Sequence, residues 1–119
     1  MIIRREIMAA LMVGCLWRPG FAAEPIAAEI EALIQAVASS GCEFERNGDR
    51  YDAAAAADHL RLKYRRGKRY AASTEIFIDR LASKSFFTGR QYLMLCPGEN
   101  EQTANAWLHA ALNAQRHAD

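Results

Sequence analysis

The stretch CEFERNG, residues 42–48, decides the fold class of this chain. Apolar and charged residues alternate with a period of two, so Cys42 and Phe44 share one face of a half-buried strand while two glutamates lie on the other. Asn47-Gly48 then predicts a two-residue hairpin turn, because both positions tolerate a positive φ. Residues 49–51 are expected to return briefly as a second strand.

A second β-rich run, QYLMLC at residues 91–96, is followed by a Pro-Gly pair and is apolar on both faces. It therefore predicts a strand that is covered on both sides. We expect the two runs to pair antiparallel with Phe44 opposite Met94. The same register places Arg46 opposite Tyr92 and brings the cysteines of the two runs face to face.

Cys42 and Cys96 remain in the chain once the leader described below has been removed together with Cys15. Directly opposed residues of antiparallel strands have Cα atoms about 4.5–5.5 Å apart, which a disulfide spans. A Cys42–Cys96 disulfide is therefore expected, with two separate buried thiols as the alternative. The bridge would close a loop of more than fifty residues. A loop of that size is worth about 3–4 kcal/mol of stability.

Apolar residues at helical spacing surround these strands. Asp52 is suited to cap one helix, Ser73 or Thr74 to cap the next, and Gly67 to end the first of them. The predicted helices cover residues 26–39, 53–66, 75–84 and 103–115. Trp107 is expected to be the main core residue of the last helix. The chain should fold as a small single α+β domain in the order α-β-α-α-β-α, with a short antiparallel sheet packed by helices.

Residues 1–22 differ in character from the rest of the chain. Two arginines precede an uncharged run at residues 7–17, and an Arg-Pro-Gly triplet follows it. A basic start, a short apolar run and small residues at a cut site are typical of a secretory signal peptide. The run is shorter than the roughly 20 residues that a membrane span needs. We therefore expect export to the periplasm.

Two processing routes fit the leader. Cleavage after Ala22, or after Ala23, would leave a single mature domain, residues 23–119. Alternatively, Met-Val-Gly-Cys at residues 12–15 resembles a lipoprotein box in which Cys15 becomes the acylated first residue. Contact with a membrane is expected only if Cys15 is lipidated.

Composition excludes several classes of function. The 119 residues carry 15 Lys and Arg against 14 Asp and Glu, and the balance is 12 to 13 without residues 1–22. A near-neutral domain has no overall field to attract nucleic acid, so no nucleic-acid partner is expected. His109 and His117 lie eight residues apart, with no cysteine or carboxylate at ligand spacing. Neither a metal site nor another cofactor is expected.

The most conspicuous motif is basic, with six cations in nine residues. They are Arg61, Lys63, Arg65, Arg66, Lys68 and Arg69. Such a stretch is either a dock for an anion or a solvated helix end whose cations complement the helix dipole. The solvated helix end is favoured for most of the stretch, because the preceding part of the chain is rich in acidic residues.

The leading functional hypothesis is a non-catalytic domain that binds an anionic ligand or an envelope partner protein. Polar residues gather at one strand end and one helix side, and the candidate ligand-binding residues are Arg46, His59, Arg61, Lys63 and Tyr92. No catalytic residue is assigned, and an enzyme is not expected.

Two alternatives stay open. One is an envelope hydrolase that uses His59 with Ser83 or Ser85, although the sequence has no nucleophile-elbow motif that would position a serine. The other is an inhibitor or immunity-type protein that blocks an enzyme through an acidic strand face, Glu43 and Glu45. The first requires a serine hydroxyl within hydrogen-bond reach of the imidazole. The second requires an exposed apolar patch rimmed by the glutamates.

Six short stretches resemble a known family in their order and spacing. They are residues 44–49, 59–63, 75–79, 88–92, 97–98 and 107–109. Together they resemble the YfeK-like family of short exported bacterial proteins, which carry a domain of unknown function. The resemblance covers roughly residues 44–112 and implies a periplasmic protein of uncharacterised role. It brings no assigned catalytic residues, and the basic residues 65–70 depart from the expected pattern.

Overall fold

The computed structural model describes residues 24–118. The leader, the lipoprotein box with Cys15 and the cut site after Ala22 lie outside the described residues. The elements in chain order are α1 (Glu24–Ala38), β1 (Glu43–Arg46), β2 (Asp49–Tyr51), α2 (Ala53–Gly67), a 3-10 turn (Lys68–Tyr70), α3 (Thr74–Ile76, continued by a π-helix at Phe77–Ala82), β3 (Leu93–Leu95), β4 (Gln102–Thr103) and α4 (Ala104–Arg116). The predicted α+β class is confirmed.

The sheet is built around the pairing of β1 with β3. Its strand order is β2-β1-β3-β4, and every neighbouring pair is antiparallel. Phe44 lies opposite Met94, as predicted from the sequence. Two pairs further along, Cys42 and Cys96 form a disulfide with Cα atoms 4.2 Å apart. The sequence predictions of register and bridge are both confirmed.

The hairpin between β1 and β2 also forms as predicted. Asn47 has φ +53° and Gly48 has φ +88°, the two positive values that a tight hairpin turn of this type requires. Asp52 then begins α2, because its carboxylate accepts a hydrogen bond from the Ala55 N–H at 2.9 Å. The chain therefore turns from strand to helix within a few residues.

One face of the sheet and all four helices form a single core. The face carrying Phe44 and Met94 is buried, whereas Glu43 on the opposite face is exposed. The run 91–96 is buried on alternate residues, so the prediction of a strand covered on both sides is wrong: Leu93 and Leu95 are half-exposed. The helices lie on one face only, which leaves the other partly open to solvent.

Two local features differ from the sequence prediction. β4 was not predicted, since two residues are too few to show a pattern; the Ala104 N–H after it donates to the Tyr92 carbonyl at 2.8 Å. On α4, Leu108 and Leu112 are the buried core residues, and Trp107 is only half-buried against them. Trp107 is therefore not the main core residue of this helix.

Ion pairs connect three of the helices. Arg116 on α4 contacts Glu29 of α1 at 2.8 Å and Glu75 of α3 at 2.6 Å. Hydrogen bonds from Arg116 and Thr74 lower the pKa of Glu29 to about 2.

No helix within residues 24–118 is both long and apolar enough to cross a bilayer.

The disulfide should contribute substantially to stability. Replacing both cysteines, Cys42→Ser/Cys96→Ser, should lower the free energy of unfolding by about 3–4 kcal/mol, because the unfolded chain regains the freedom that the closed loop removes. Urea unfolding followed by circular dichroism measures the change. Reduced wild type should unfold like the double variant. Equal midpoints for oxidised and reduced wild type would contradict this account.

Candidate functional site

Four of the five predicted ligand-binding residues meet at one end of the β1–β3 pair. His59 and Lys63 are four residues apart on α2 and so lie on the same side of the helix. Arg46 is the last residue of β1, and extending the observed register by one pair places it opposite Tyr92. We call Arg46, His59, Lys63 and Tyr92 the cationic cluster.

The Tyr92 hydroxyl links two members of the cluster. The Lys63 ammonium donates to it at 3.0 Å, and the Nε2 atom of His59 lies 3.4 Å from it. The hydroxyl oxygen has two acceptor lone pairs and one hydrogen, so it donates to Nε2 when that nitrogen is unprotonated and accepts from it in the other tautomer. Lys63 also donates to the Lys84 carbonyl at 3.0 Å. These contacts hold the ammonium in place.

Arg46 carries an unpartnered buried donor. Its guanidinium carbon lies 4.8 Å from the centre of the Tyr51 ring. Its Nε atom is buried and has no hydrogen-bond partner among the residues that the structure describes. Buried donors in folded proteins are nearly always hydrogen-bonded, so an acceptor that binds this N–H would stabilise the site.

The cluster holds uncompensated positive charge. Within residues 25–118, no carboxylate lies within 4 Å of the basic groups of Arg46, His59 or Lys63. Burial, followed by the charges of Arg46 and Lys63, lowers the pKa of His59 to about 4. Burial, followed by the Arg46 charge, lowers the pKa of Lys63 to about 8. Burial also raises the pKa of the Tyr92 hydroxyl.

Such shifts mark a site that disfavours its own cations in the absence of a counter-charge. An anion among these groups would offset the repulsion and supply an acceptor for the unpaired Arg46 donor. The arrangement can therefore bind an anion and take up a proton with it.

Arg61, the fifth predicted residue, does not join the cluster. Its guanidinium binds the Glu31 carboxylate of α1 at 2.7 Å and approaches Asp58 at 3.6 Å. Residues two apart on a helix point about 200° apart, so Lys63 faces the sheet end while Arg61 faces α1. The structure therefore does not bring Arg61 together with the other four residues, and its ion pair with Glu31 connects α2 to α1.

The remaining cations of the basic stretch also lie outside the cationic cluster. Arg65 and Arg66 are exposed at the end of α2. Lys68 lies over the Tyr64 ring at 5.5 Å, and Arg69 over the Tyr70 ring at 5.1 Å. Of the six cations, Lys63 alone takes part in the cationic cluster.

The geometry required for a hydrolase is not met. Ser83 donates its hydroxyl to the Ile78 carbonyl and accepts from Asn105 at 2.9 Å. The Ser85 hydroxyl accepts from a backbone N–H at 3.3 Å within its own loop. Neither serine bonds the imidazole of His59, whose partner is a tyrosine hydroxyl. The described residues therefore contain no activated pair of the kind that this alternative needs.

The acidic strand face is neutralised from within the sheet. Arg50 on β2 approaches Glu43 at 3.4 Å and Glu45 at 3.9 Å. The large apolar side chains that are exposed in residues 24–118 belong to other elements. The apolar patch rimmed by glutamates, which the inhibitor alternative requires, is not found there.

A second polar site was not predicted from the sequence. A depression of about 210 Å³ is lined by residues of α3, α4 and the strands between them: Asp79, Ser83, Lys84, Gln91, Thr103 and Asn105. Asp79 accepts from Asn105 and contacts His109, both at 2.8 Å, and the His109 contact lowers its pKa. Asn105 therefore links Asp79 and Ser83 by hydrogen bonds at this depression. No residues from 24 to 118 form a cluster of three or more potential metal ligands.

Comparison with known proteins gives a family and one curated relative. A family described as a family of unknown function, DUF5329, matches residues 24–116. The uncharacterized protein YfeK of Salmonella typhimurium (strain LT2) is 39% identical over 66 residues. That stretch is 55% of this chain and 55% of the relative, so the match spans about half of each. No solved structure matches the chain.

The pKa of His59 should appear in the pH dependence of stability. Its pKa falls from 6.5 to about 4 on folding, so the unfolded chain binds more protons in that range and stability declines as the pH falls through it. The slope should stay below the one-proton limit of about 1.4 kcal/mol per pH unit, because the ring is only half-buried. Urea unfolding at a series of pH values measures it.

His59→Gln should flatten this decline between pH 6.5 and 4. The matched control is His117→Gln, which changes an exposed histidine at the end of α4 and should leave the decline as in wild type. The same slope in wild type and in His59→Gln would contradict the buried-imidazole account.

Proposed function

The chain belongs to DUF5329, a family of unknown function, and we propose that it is an exported, non-catalytic domain that binds an anion at the cationic cluster. The observation that carries this proposal is the buried, unpartnered Nε of Arg46 beside Lys63. An anionic oxygen is the acceptor that suits both groups, since hydrogen bonds between ionised partners are about twice as strong as neutral ones. The anion is either a free small molecule or a group carried by an envelope partner.

Export is supported by two features. The leader at residues 1–22 has the pattern of a signal peptide, and the family match begins just after the proposed cut, at residue 24. The Cys42–Cys96 disulfide suits an oxidising compartment such as the periplasm. Acylation at Cys15 is the alternative processing route. The intact mass of the purified protein distinguishes it from a cut after Ala22 or Ala23.

A binding role fits the chemistry better than catalysis. With a pKa of about 4, His59 is neutral at physiological pH, and its hydrogen-bond partner is the Tyr92 hydroxyl rather than a serine hydroxyl. Lys63, with a pKa of about 8, remains largely protonated there and can donate to an anion. We therefore assign Arg46 and Lys63 to direct contact with the anion. Tyr92 orients Lys63, and His59 acts as a proton acceptor whose pKa rises when the anion binds.

Phosphate binding should depend on Lys63 and Arg46. Titration with inorganic phosphate, followed by NMR chemical shifts, should show an affinity about tenfold or more lower for Lys63→Gln and for Arg46→Gln, since a charged hydrogen bond contributes about 1.5–3 kcal/mol. Wild-type affinity should also fall as the pH rises through about 8, where Lys63 loses its proton.

Arg61→Gln is the matched control, because it removes a cation from the same helix while leaving the cluster intact. It should bind phosphate as wild type does. A loss for Arg61→Gln as large as that for Lys63→Gln would mean that only net charge matters. Unchanged affinity in the Lys63 and Arg46 variants would refute the assigned site.

A further inference from the structure

The loop after α3 is a fixed turn that holds two aromatic residues outward. A β-bridge between Lys84 and Gln91 closes it. Inside it, the Ser85 carbonyl accepts from the Gly89 N–H, and the Ser85 N–H donates to the Arg90 carbonyl, both at 3.0 Å. The loop therefore presents its outer residues in a defined position.

Those outer residues are Phe86 and Phe87, which we call the aromatic tip. Phe86 is 84% exposed and Phe87 is 95% exposed, and their rings meet edge to face with centres 5.9 Å apart. The other large apolar side chains exposed in residues 24–118 are Tyr70 and Ile76, at 55% and 36%. Two adjacent, almost fully exposed phenylalanines on a structured loop mark a surface that contacts something apolar.

The aromatic tip lies beside the cationic cluster. The ammonium of Lys63 bonds the Lys84 carbonyl at the base of the loop. On the other side, Thr88 donates its hydroxyl to the Asn47 side chain at 2.8 Å, which fastens the loop to the hairpin turn. The Arg90 guanidinium lies against that same turn, 3.9 Å from where a Cβ on Gly48 would be.

The surroundings of the tip are basic. Lys84 and Arg90 flank it at the loop base, and no acidic residue occurs from residue 84 to residue 92. Neither flanking cation lies within 4 Å of a carboxylate in the described part of the chain. The end of the domain thus combines an exposed apolar pair with two cations at the base of the same loop.

We propose that this end of the domain docks on an anionic phospholipid bilayer. The aromatic tip inserts at the boundary between headgroups and acyl chains, and the cationic cluster with Lys84 and Arg90 contacts lipid phosphates. The proposal takes the anion of the proposed function to be a lipid phosphate and rests on it to that extent. It requires no acyl group on Cys15, in contrast to the membrane contact expected from the sequence.

Charge and shape both favour a lipid surface over a pocket in a partner protein. A bilayer accepts a convex apolar tip without a complementary cavity, and basic residues around such a tip are attracted to anionic headgroups. A protein partner would need a pocket matched to both rings.

Vesicle sedimentation tests the proposal. The protein is expressed from the full chain with Cys15→Ser, which blocks acylation, and its exported form is purified. It is mixed with vesicles of phosphatidylcholine alone, or with vesicles of phosphatidylcholine and phosphatidylglycerol in equal amounts. We expect binding to the anionic vesicles and little to the neutral ones. Phe86→Ala/Phe87→Ala should weaken it about tenfold or more, since each ring loses its apolar contact. Ile76→Ala, the control on α3, should bind as the Cys15→Ser parent does.

The outcomes separate this proposal from the anion site. Absence of binding to anionic vesicles, or equal binding by the Phe86→Ala/Phe87→Ala variant and its parent, would overturn the membrane proposal even if free phosphate still binds. Binding that needs the aromatic tip but is unchanged by Lys63→Gln and Arg46→Gln would support the tip and refute the cluster as its phosphate contact. Capture of a protein through the tip with no vesicle binding would assign it to a protein partner instead.

Discussion

The pairing of β1 with β3 is the constraint on which the rest of the structure depends. The disulfide closes one end of this pair, and the other end is left with Arg46 opposite Tyr92 on the face that the helices cover. A shift of the register by one residue would place Phe44 and Met94 on opposite faces of the sheet and would separate the two cysteines. The same register therefore determines both the core and the position of the candidate site.

At that position, cationic side chains lie close together without a counter-charge. α2 crosses the sheet where β1 ends, so its side carrying His59 and Lys63 meets Arg46 in a half-buried space. Burial of like charges without a counter-charge costs stability, which is why both pKa values are depressed. Ion pairs elsewhere in the molecule, such as those of Arg61 and Arg116, show that the chain does pair its cations where pairing serves stability. An unpaired cluster at a sheet end is consistent with a site kept open for an external anion.

Much of the fold followed from local patterns in the sequence. Three of these patterns span only a few residues each, and the structure confirms all three. They are the alternation in CEFER, the Asn47-Gly48 turn and the helix cap at Asp52. The features that the sequence did not reveal depend on distant partners. Arg61 lies apart from the cationic cluster because its partner, Glu31, is on another helix thirty residues away. β4 is stabilised by its neighbour β3 rather than by any pattern of its own.

The candidate site was only partly predictable for the same reason. Lys63 and His59 were recognisable from their spacing on one helix, and Tyr92 from the register. In the sequence of the loop that carries the aromatic tip, only a glycine and a break in the helical periodicity are recognisable. Neither feature predicts that the two phenylalanines are exposed rather than packed in the core. Whether an apolar residue is buried is a property of packing across the whole domain, and short windows of sequence do not contain it.

We infer that the cationic cluster lacks a counter-charge, which an external anion supplies. Titration of the His59 imidazole by NMR, without and with saturating phosphate, tests it most directly. We expect a pKa of about 4 in the free protein and a clear upward shift of this pKa when phosphate is bound. A pKa near the ordinary value of 6.5 that does not respond to phosphate would contradict it.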